Sequence, residues 1–544
     1  MEWQILESQR YLEIMQRLQV GTIVGKVLDF RENQDPGKTP LHDYGLLKDA
    51  KKVLERLEKA IFTQEKVVVY GDYDCDGIMA TSILVSAFER RHLKVGFHIP
   101  NRFVDGYGLS VARVRQMHEK GYTLIITVDN GISAFEACEE AKRLGMDVII
   151  TDHHEIGSKL PEAYAILHTG LSPDYPFKGI SGGFLACKLG CALIGSQDAY
   201  FHCLAAISTI SDVMPMVDEN RTLVKCALSV MQEKRYLNFE LLLGENQRYS
   251  TTSIGFTLVP KINSIGRLVD GLNPSKCVTY FRHAIPHDAK EREFKMQFAS
   301  LATKINQSRQ KLTTSQYALA TTNMNTDEDV LFCYDKDFHE GLIGLVAGKL
   351  TKTYYRPSFV MHLDEEKGIL KGSARSIAGI NLYDLLKKNK DDLLVYGGHE
   401  LAGGFSLELA KLNDFETHVK AYIDDIRTPD LFVEKSHAIL LEDRDISLEN
   451  VRGLEALQPF GQGNEEPTFA MRLSHPIKIE TLSDKKHLKL TFELSHARLS
   501  CLWFNHGEVY NQISQQQHFE LFGQISINQF RNFENIQLIL QDLR

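Results

Sequence analysis

Three short apolar runs, each broken off by metal-binding residue types, restrict this chain to one kind of architecture. Val67-Val68-Val69 leads through Tyr70-Gly71 into Asp72-Tyr73-Asp74-Cys75-Asp76-Gly77. Leu124-Ile125-Ile126-Thr127-Val128 stops at Asp129-Asn130-Gly131, and Val148-Ile149-Ile150-Thr151 stops at Asp152-His153-His154. Continuous apolar runs of this length read as strands buried on both faces, as in parallel sheets. Open α/β sheets build their sites just outside the carboxyl ends of such strands. Carboxylates and imidazoles from separate strands are therefore expected at one sheet edge.

Side chains on extended backbone alternate with a period of two, so Asp72, Asp74 and Asp76 share a side if their segment stays extended. Packed carboxylates repel one another unless a cation lies between them, and a divalent metal is the usual solution. Taken alone, the segment also fits a solvated acidic turn; the other two strand ends favour metal. Ile207-Ser208-Thr209-Ile210-Ser211 adds Asp212 after a further apolar stretch. Helix termination ahead of Pro215 is the competing account of that residue.

Composition limits the class. Hydrophobic residues at 43% and charged residues at 24% are globular values. No apolar run reaches membrane-spanning length, and Met1-Glu2-Trp3-Gln4 has no basic region ahead of an apolar one, so no membrane is expected as partner. The nine cysteines are scattered without paired CxxC motifs, which points to a reducing, cytoplasmic setting. The closest pair, Cys187 and Cys191, lies among small apolar residues of helical character. The net charge of −9 argues mildly against nucleic acid. A global charge does not describe a cleft, however, and acids that hold metal inflate the negative count. Basic clusters at Lys349, Lys352 and Arg356, and at Lys387, Lys388 and Lys390, read most simply as solvated helix faces.

The chain divides into a lead-in over 1–60, a mostly parallel α/β unit over 61–220, a connector over 221–324, a smaller α/β unit over 325–428 and a tail over 429–544. Phe294, Phe298, Leu301, Ile305 and Leu312 recur at roughly helical spacing and predict a long amphipathic helix in the connector. Alternation such as Leu488-Lys489-Leu490-Thr491-Phe492 predicts a small β-barrel in the tail.

The second α/β unit carries three compact motifs. They are His339-Glu340-Gly341-Leu342-Ile343-Gly344, then Gly372-Ser373-Ala374-Arg375-Ser376, then Gly397-Gly398-His399-Glu400-Leu401-Ala402-Gly403-Gly404. Glycine lets backbone N–H groups approach phosphate closely, and arginine grips phosphate through a planar fork. Each motif alone also fits an ordinary turn.

Together, the sets at Asp72–Gly77, Asp129–Gly131, Asp152–His154 and Ser211-Asp212 resemble the motifs of the DHH phosphoesterase superfamily. The glycine-rich set resembles the DHH-associated domain. Pro260-Lys261-Ile262-Asn263-Ser264-Ile265-Gly266-Arg267 and Pro459-Phe460-Gly461-Gln462-Gly463-Asn464-Glu465-Glu466-Pro467 narrow the resemblance to the superfamily's bacterial single-strand-specific exonucleases, over roughly residues 45–544. The resemblance implies an α/β fold: a parallel-sheet DHH domain, a long helix, a smaller α/β associated domain and an OB-like barrel. It implies hydrolysis of single-stranded DNA from the 5′ end to mononucleotides, in repair and recombination. It makes Asp74, Asp76, Asp129, His153 and Asp212 the metal set. His154 would contact metal or the scissile phosphate, and Asp152 would orient the cluster or serve as a ligand. Many superfamily members place histidine where this chain has Tyr70, which leaves open whether Asp72 compensates as a ligand. Single-strand binding protein and a helicase are the implied protein partners, a monomer the implied state, and a further C-terminal domain found in some relatives is expected to be absent.

The chemistry agrees with the resemblance. Two cations about 3.5–4 Å apart can activate water and stabilise both the attacking and leaving oxygens of a phosphodiester. Asp129 is the leading candidate for the bridge between them. Mixed Asp and His ligands favour Mn2+ over Mg2+. Ser373, Arg375 and Arg267 are expected to anchor the terminal phosphate, and Gly397, Gly398, His399, Gly403 and Gly404 to bind substrate phosphate. Arg102 is a weaker candidate, with surface exposure as its alternative. Three rival functions are a DHH phosphoesterase for cyclic dinucleotides or very short oligonucleotides, a DHH-type pyrophosphatase, and a non-catalytic single-strand binding protein.

Overall fold

The apolar run at Val67 becomes the strand Val67–Tyr70, buried along its whole length. The computed structural model describes residues 2–31, 39–101, 108–244, 247–268, 272–530 and 533–544. In the first α/β unit the strands lie in the order Gly96–His98, Val67–Tyr70, Leu124–Val128, Asp147–Thr151 and Ala165–Leu167, all parallel. The chain order therefore reverses between Val67–Tyr70 and Leu124–Val128. This is the switch point at which α/β sheets open a crevice for ligands.

Behind that crevice stand three helices, Cys75–Arg90, Gly182–Ile194 and Ala199–Ser211. Every residue from Cys75 to Phe88 is buried, which is why this stretch is apolar around nearly its full circumference. Gly190 lets the second helix approach the first: a Cβ there would lie 3.1 Å from Ile83.

The predicted connector helix is observed as Ala289–Asn323. Its Phe298, Ala302 and Ile305 join the core of the first unit, and Ala320 joins the core beneath the second. One helix thus ties the two units together. The second unit is a mixed sheet in the order Val395–Gly398, Ala402–Glu408, Ile369–Arg375, Ser358–Asp364 and Leu331–Asp335. Only the last two strands are parallel.

The tail forms most of an eight-stranded mixed sheet that includes the long antiparallel pair His518–Phe530 and Phe533–Leu543. The expectation of a lead-in over 1–60 needs correction. Glu2–Leu6 pairs in parallel with Lys435–Leu440, as the edge strand of that sheet. Trp3 stacks on Phe522 with ring centroids 4.7 Å apart. Helix Thr22–Phe30 buries Ile23, Val24, Val27 and Leu28 in the same core, and Lys26 forms a buried 2.6 Å ion pair with Asp445. Both ends of the chain build this domain. The first unit begins with helix Ala50–Phe62, through Val53, Leu57 and Ala60. No described helix is long and apolar enough to cross a membrane.

Candidate metal centre

The acidic segment after Val67–Tyr70 does not stay extended. Asp74 is the N-cap of helix Cys75–Arg90 and accepts a hydrogen bond from the Gly77 N–H at 3.1 Å. The helix turn separates the three acids. Asp72 and Asp74 converge with Asp129, their ligand atoms within 4.8 Å of one another, whereas Asp76 groups with His153 and Asp212 within the same limit. Asp129, His153 and His154 make a third such group. Asp129 and His153 are each shared between two groups, so the cluster is continuous.

Each shared residue is held by local structure. Asp129 has a left-handed backbone (φ 60°) where the strand Leu124–Val128 ends, and its N–H donates to the Thr151 carbonyl. His153 Nε2 lies 3.0 Å from Asp129 Oδ1, 3.5 Å from Asp212 Oδ2 and 3.6 Å from Asp76 Oδ2. Asp212 caps the carboxyl end of helix Ala199–Ser211, and its Oδ2 faces His153.

Asp152 belongs to none of these groups. One oxygen accepts from the N–H groups of His153 and His154 and lies 2.7 Å from His154 Nδ1; the other accepts from the Ile132 N–H. With both oxygens engaged, Asp152 orients the histidine pair. Tyr70 is fully buried and its hydroxyl donates to the Gly108 carbonyl.

The electrostatics are those of a site built around positive charge. Burial and the neighbouring carboxylates push Asp72, Asp74 and Asp129 above the usual carboxyl range, and push Asp212 up to about 8. Asp72 Oδ1 is buried without a hydrogen-bond partner, an arrangement that costs about 1–3 kcal/mol unless something meets that oxygen. Burial alone would depress His154, but Asp152 and the surrounding acids outweigh it and hold it at about 9. Burial pulls His153 down, which favours the neutral imidazole that a metal needs. Oxygen donors with one or two imidazoles fit a divalent cation of the manganese or magnesium type.

Several residues that position the cluster escaped the sequence motifs. Asp76 accepts from the N–H groups of Gly182 and Gly183, at 2.9 and 2.6 Å, and from Ser208 Oγ at 2.5 Å. These glycines open helix Gly182–Ile194, whose positive end favours a carboxylate. A Cβ on Gly182 would sit 2.6 Å from the Asp129 Cβ, and one on Gly183 would sit 2.5 Å from Ser208 Oγ. The available signal was Ser181-Gly182-Gly183, an N-cap serine ahead of an apolar helix; Ser181 Oγ accepts from the Phe184 N–H.

The stretch 260–267 reaches the cluster from outside the sheet. Asn263 Oδ1 accepts from the Cys75 N–H, and Gly266 lets the helix Val259–Arg267 lie against the Tyr73 carbonyl, 2.8 Å from where a Cβ would be. Arg267 thereby adds positive charge near Asp74. Its carbonyl lies against Gly341, where a Cβ would come within 2.1 Å. Three residues on, Gly344 lies under Ser373 Oγ and Arg375 Nη2, at 3.1 and 3.2 Å from its own Cβ position. A line of close contacts thus runs from the acids to the second unit.

Ser373 and Arg375 lie within the strand Ile369–Arg375, and Arg375 Nη1 donates to Ser373 Oγ at 3.2 Å. In register beside Ser373 come Gly404 and then Gly397, and a Cβ on either glycine would meet nothing within 4 Å. These positions form a bare strip next to a serine and an arginine. Gly398 and Gly403 pair behind the strip in tight packing. His399 Nδ1 lies 3.8 Å from Glu155, the residue after the histidine pair, so this loop reaches across to the first unit. Arg102 lies outside the described residues.

The DHH family N-terminal domain matches residues 66–206, the DHHA1 domain residues 327–425 and the RecJ OB domain residues 439–542. The single-stranded-DNA-specific exonuclease RecJ of Dickeya dadantii is 30% identical, with 92% of each chain covered. The chain belongs to the RecJ family. The Bacillus subtilis RecJ exonuclease is 34% identical over 91% of this chain, which spans 63% of that relative's length. The crystal structure of Thermus thermophilus RecJ in complex with Mn2+ matches with a TM-score of 0.85 at 27% identity, covering all of this chain and 79% of that one. The Mg2+ complex of the same protein matches at 0.79. The α/β fold with DHH, DHHA1 and OB domains is that of the RecJ family.

The stretch 459–467 has a structural place in this RecJ-family chain. The Met216 N–H donates to the Gln462 carbonyl, and Arg221 donates to the carbonyls of Ala456 and Gln458. This loop fastens the OB domain to the DHH domain four residues beyond Asp212.

Proposed function

We propose that the protein is a metal-dependent exonuclease that degrades single-stranded DNA from the 5′ end to mononucleotides, in DNA repair and recombination. The observation that carries this reading is the continuous set of three ligand groups joined through Asp129 and His153. Asp72, Asp74 and Asp129 would hold one cation; Asp76, His153 and Asp212 would hold the other, with Asp129 as the bridge. When bound, two such ions supply an activated water and charge stabilisation for the attacking and leaving oxygens.

The chain's own residues do the rest. Asp152 holds the histidine pair in orientation, and His154 contacts the metal or the scissile phosphate. The N–H groups of Gly182 and Gly183 fix Asp76. Arg375, Ser373 and Arg267 receive the terminal 5′-phosphate, whose extra charge and free oxygens distinguish an end from an internal phosphodiester. The glycine strip lets the backbone of the strand lie close. The OB domain guides the single strand by stacking and charge. Single-strand binding protein and a helicase are the partners proposed for the monomer.

The long connector and the OB domain weigh against a small-substrate DHH phosphoesterase and a pyrophosphatase. The intact acid and histidine cluster weighs against a non-catalytic binder. A long single strand labelled at either end tests all of these. The 5′ label should appear at once as a mononucleotide and the 3′ label in a slowly shortening ladder, with activity lost on chelation. Release of the 3′ label first, cleavage restricted to dinucleotides, or binding without cleavage would each overturn the reading. Manganese should support a faster rate than magnesium, and calcium none; calcium as the best activator would remove the proposed ligand set.

A further inference from the structure

Cys187, Cys191 and His202 stand apart from the acid cluster, with ligand atoms within 4.8 Å of one another. The two cysteines are one turn apart on helix Gly182–Ile194, and the histidine is on the neighbouring helix Ala199–Ser211. Cys187 and Cys191 are 1% and 5% exposed. They line a cavity of about 430 Å³, together with His202, His42, Gln197 and Lys188. From these positions we propose a separate site for a zinc-class cation, bound by two thiolates and one imidazole, with a water from the cavity as the fourth ligand.

The donor chemistry selects the ion. Thiolate and imidazole suit zinc and its softer neighbours, whereas magnesium and manganese prefer carboxylate and water. A tetrahedral site with Zn–S near 2.3 Å places its ligand atoms roughly 3.5–4 Å apart, a separation compatible with the 4.8 Å limit observed here. His202 Nε2 is hydrogen-bonded to Gln197 Oε1 at 2.9 Å. Donation to that amide oxygen leaves the Nδ1 lone pair for a metal, the usual outer partner of a ligating histidine. Lys188 does not oppose a cation, because Glu219 pairs with it at 2.8 Å and the His42 carbonyl accepts from it. The hydrogen bond from Cys187 brings Cys191 down to about 5, while burial raises Cys187. Binding therefore displaces the Cys187 proton, and that of Cys191 where it is still held.

The location gives the site a role. The same two helices hold Asp76 at their far ends, through Gly182 and Gly183 on one and Ser208 on the other. An ion joining Cys187, Cys191 and His202 would brace this helix pair from the end away from the acids.

The test uses cobalt on the full-length protein, freed of metal by chelation. One equivalent should produce a thiolate-to-cobalt charge-transfer band of tetrahedral type, which oxygen ligands cannot give. Cys191→Ser should abolish the band, Cys226→Ser at an exposed cysteine should keep it, and Asp129→Ala should keep it while losing the manganese centre. Zinc should displace the cobalt, and excess magnesium should not. His202→Gln, which keeps both thiols, should weaken cobalt binding at least tenfold. Absence of the band in the parent protein, or its persistence unchanged in Cys191→Ser, overturns the site.

Discussion

The DHH and DHHA1 faces of the candidate site are built on opposite principles. On the DHH side, charged groups are buried and nearly every atom is constrained: Asp76 accepts three hydrogen bonds, and Asp152 has both oxygens engaged. On the DHHA1 side, Gly397 and Gly404 leave open space beside Ser373. Rigid placement is needed where repelling carboxylates must share cations, because a displaced ligand loses the ion. On the proposed function, empty surface would let a flexible strand slide and reseat after each cut. Substitutions on the first side should therefore stop the reaction, and those on the second should alter which ends are accepted.

The largest effect is expected at the shared ligand. Asp129→Asn should lower the single-turnover rate by about 10³-fold or more, the scale of several kcal/mol of transition-state stabilisation. Without metal the variant should melt no lower than the parent, because one of several repelling buried acids has gone. Manganese should raise its melting temperature less than it raises the parent's, a comparison that calorimetry reads directly.

Gly182→Ala comes next and breaks the comparison most sharply, since it removes no functional group. Its methyl would fall 2.6 Å from the Asp129 Cβ, so helix or strand end must shift. Overpacking of this kind costs about 1–3 kcal/mol. Urea unfolding should show that loss, and a manganese titration should show weakened binding. An unchanged manganese affinity would mean that Asp76 and Asp129 tolerate movement of the helix end.

Arg375→Ala should raise the substrate concentration for half-maximal rate by about ten- to a hundredfold, consistent with about 1.5–3 kcal/mol for a charge-assisted hydrogen bond. Preference for a 5′-phosphate over a 5′-hydroxyl should decline while manganese content stays intact. Equal discrimination in variant and parent would remove Arg375 as the end sensor.

The smallest effect is expected from Gly404→Ala. With no atom within 4 Å of the new methyl, stability should stay within about 0.5 kcal/mol. Half-saturation should rise a few-fold as the methyl intrudes on the strip. A loss of stability equal to that of Gly182→Ala would erase the contrast between the two sides.

Much of the cluster was legible because strand ends announce themselves locally. An apolar run that stops at Asp129 or at Asp152-His153-His154 states both a buried strand and what emerges from it. The helix Ala289–Asn323 was equally visible, since its apolar spacing is periodic. The division of the acids after Tyr70 was not, because alternation assumes a strand that the Asp74 cap ends. Ser208 and Gly182 were hidden for another reason: each acts on a residue more than a hundred positions away in sequence.

The amino-acid sequence by itself determined the kind of sheet, the edge that carries the chemistry and the residue types gathered there, because periodicity and strand termination are short-range properties. Only the tertiary structure decided which acids share a group, which glycines must stay bare, and that Glu2–Leu6 completes a domain begun again at Lys435. Those outcomes depend on distances between segments remote along the chain. Such distances are set by how the cores pack, which no local pattern encodes.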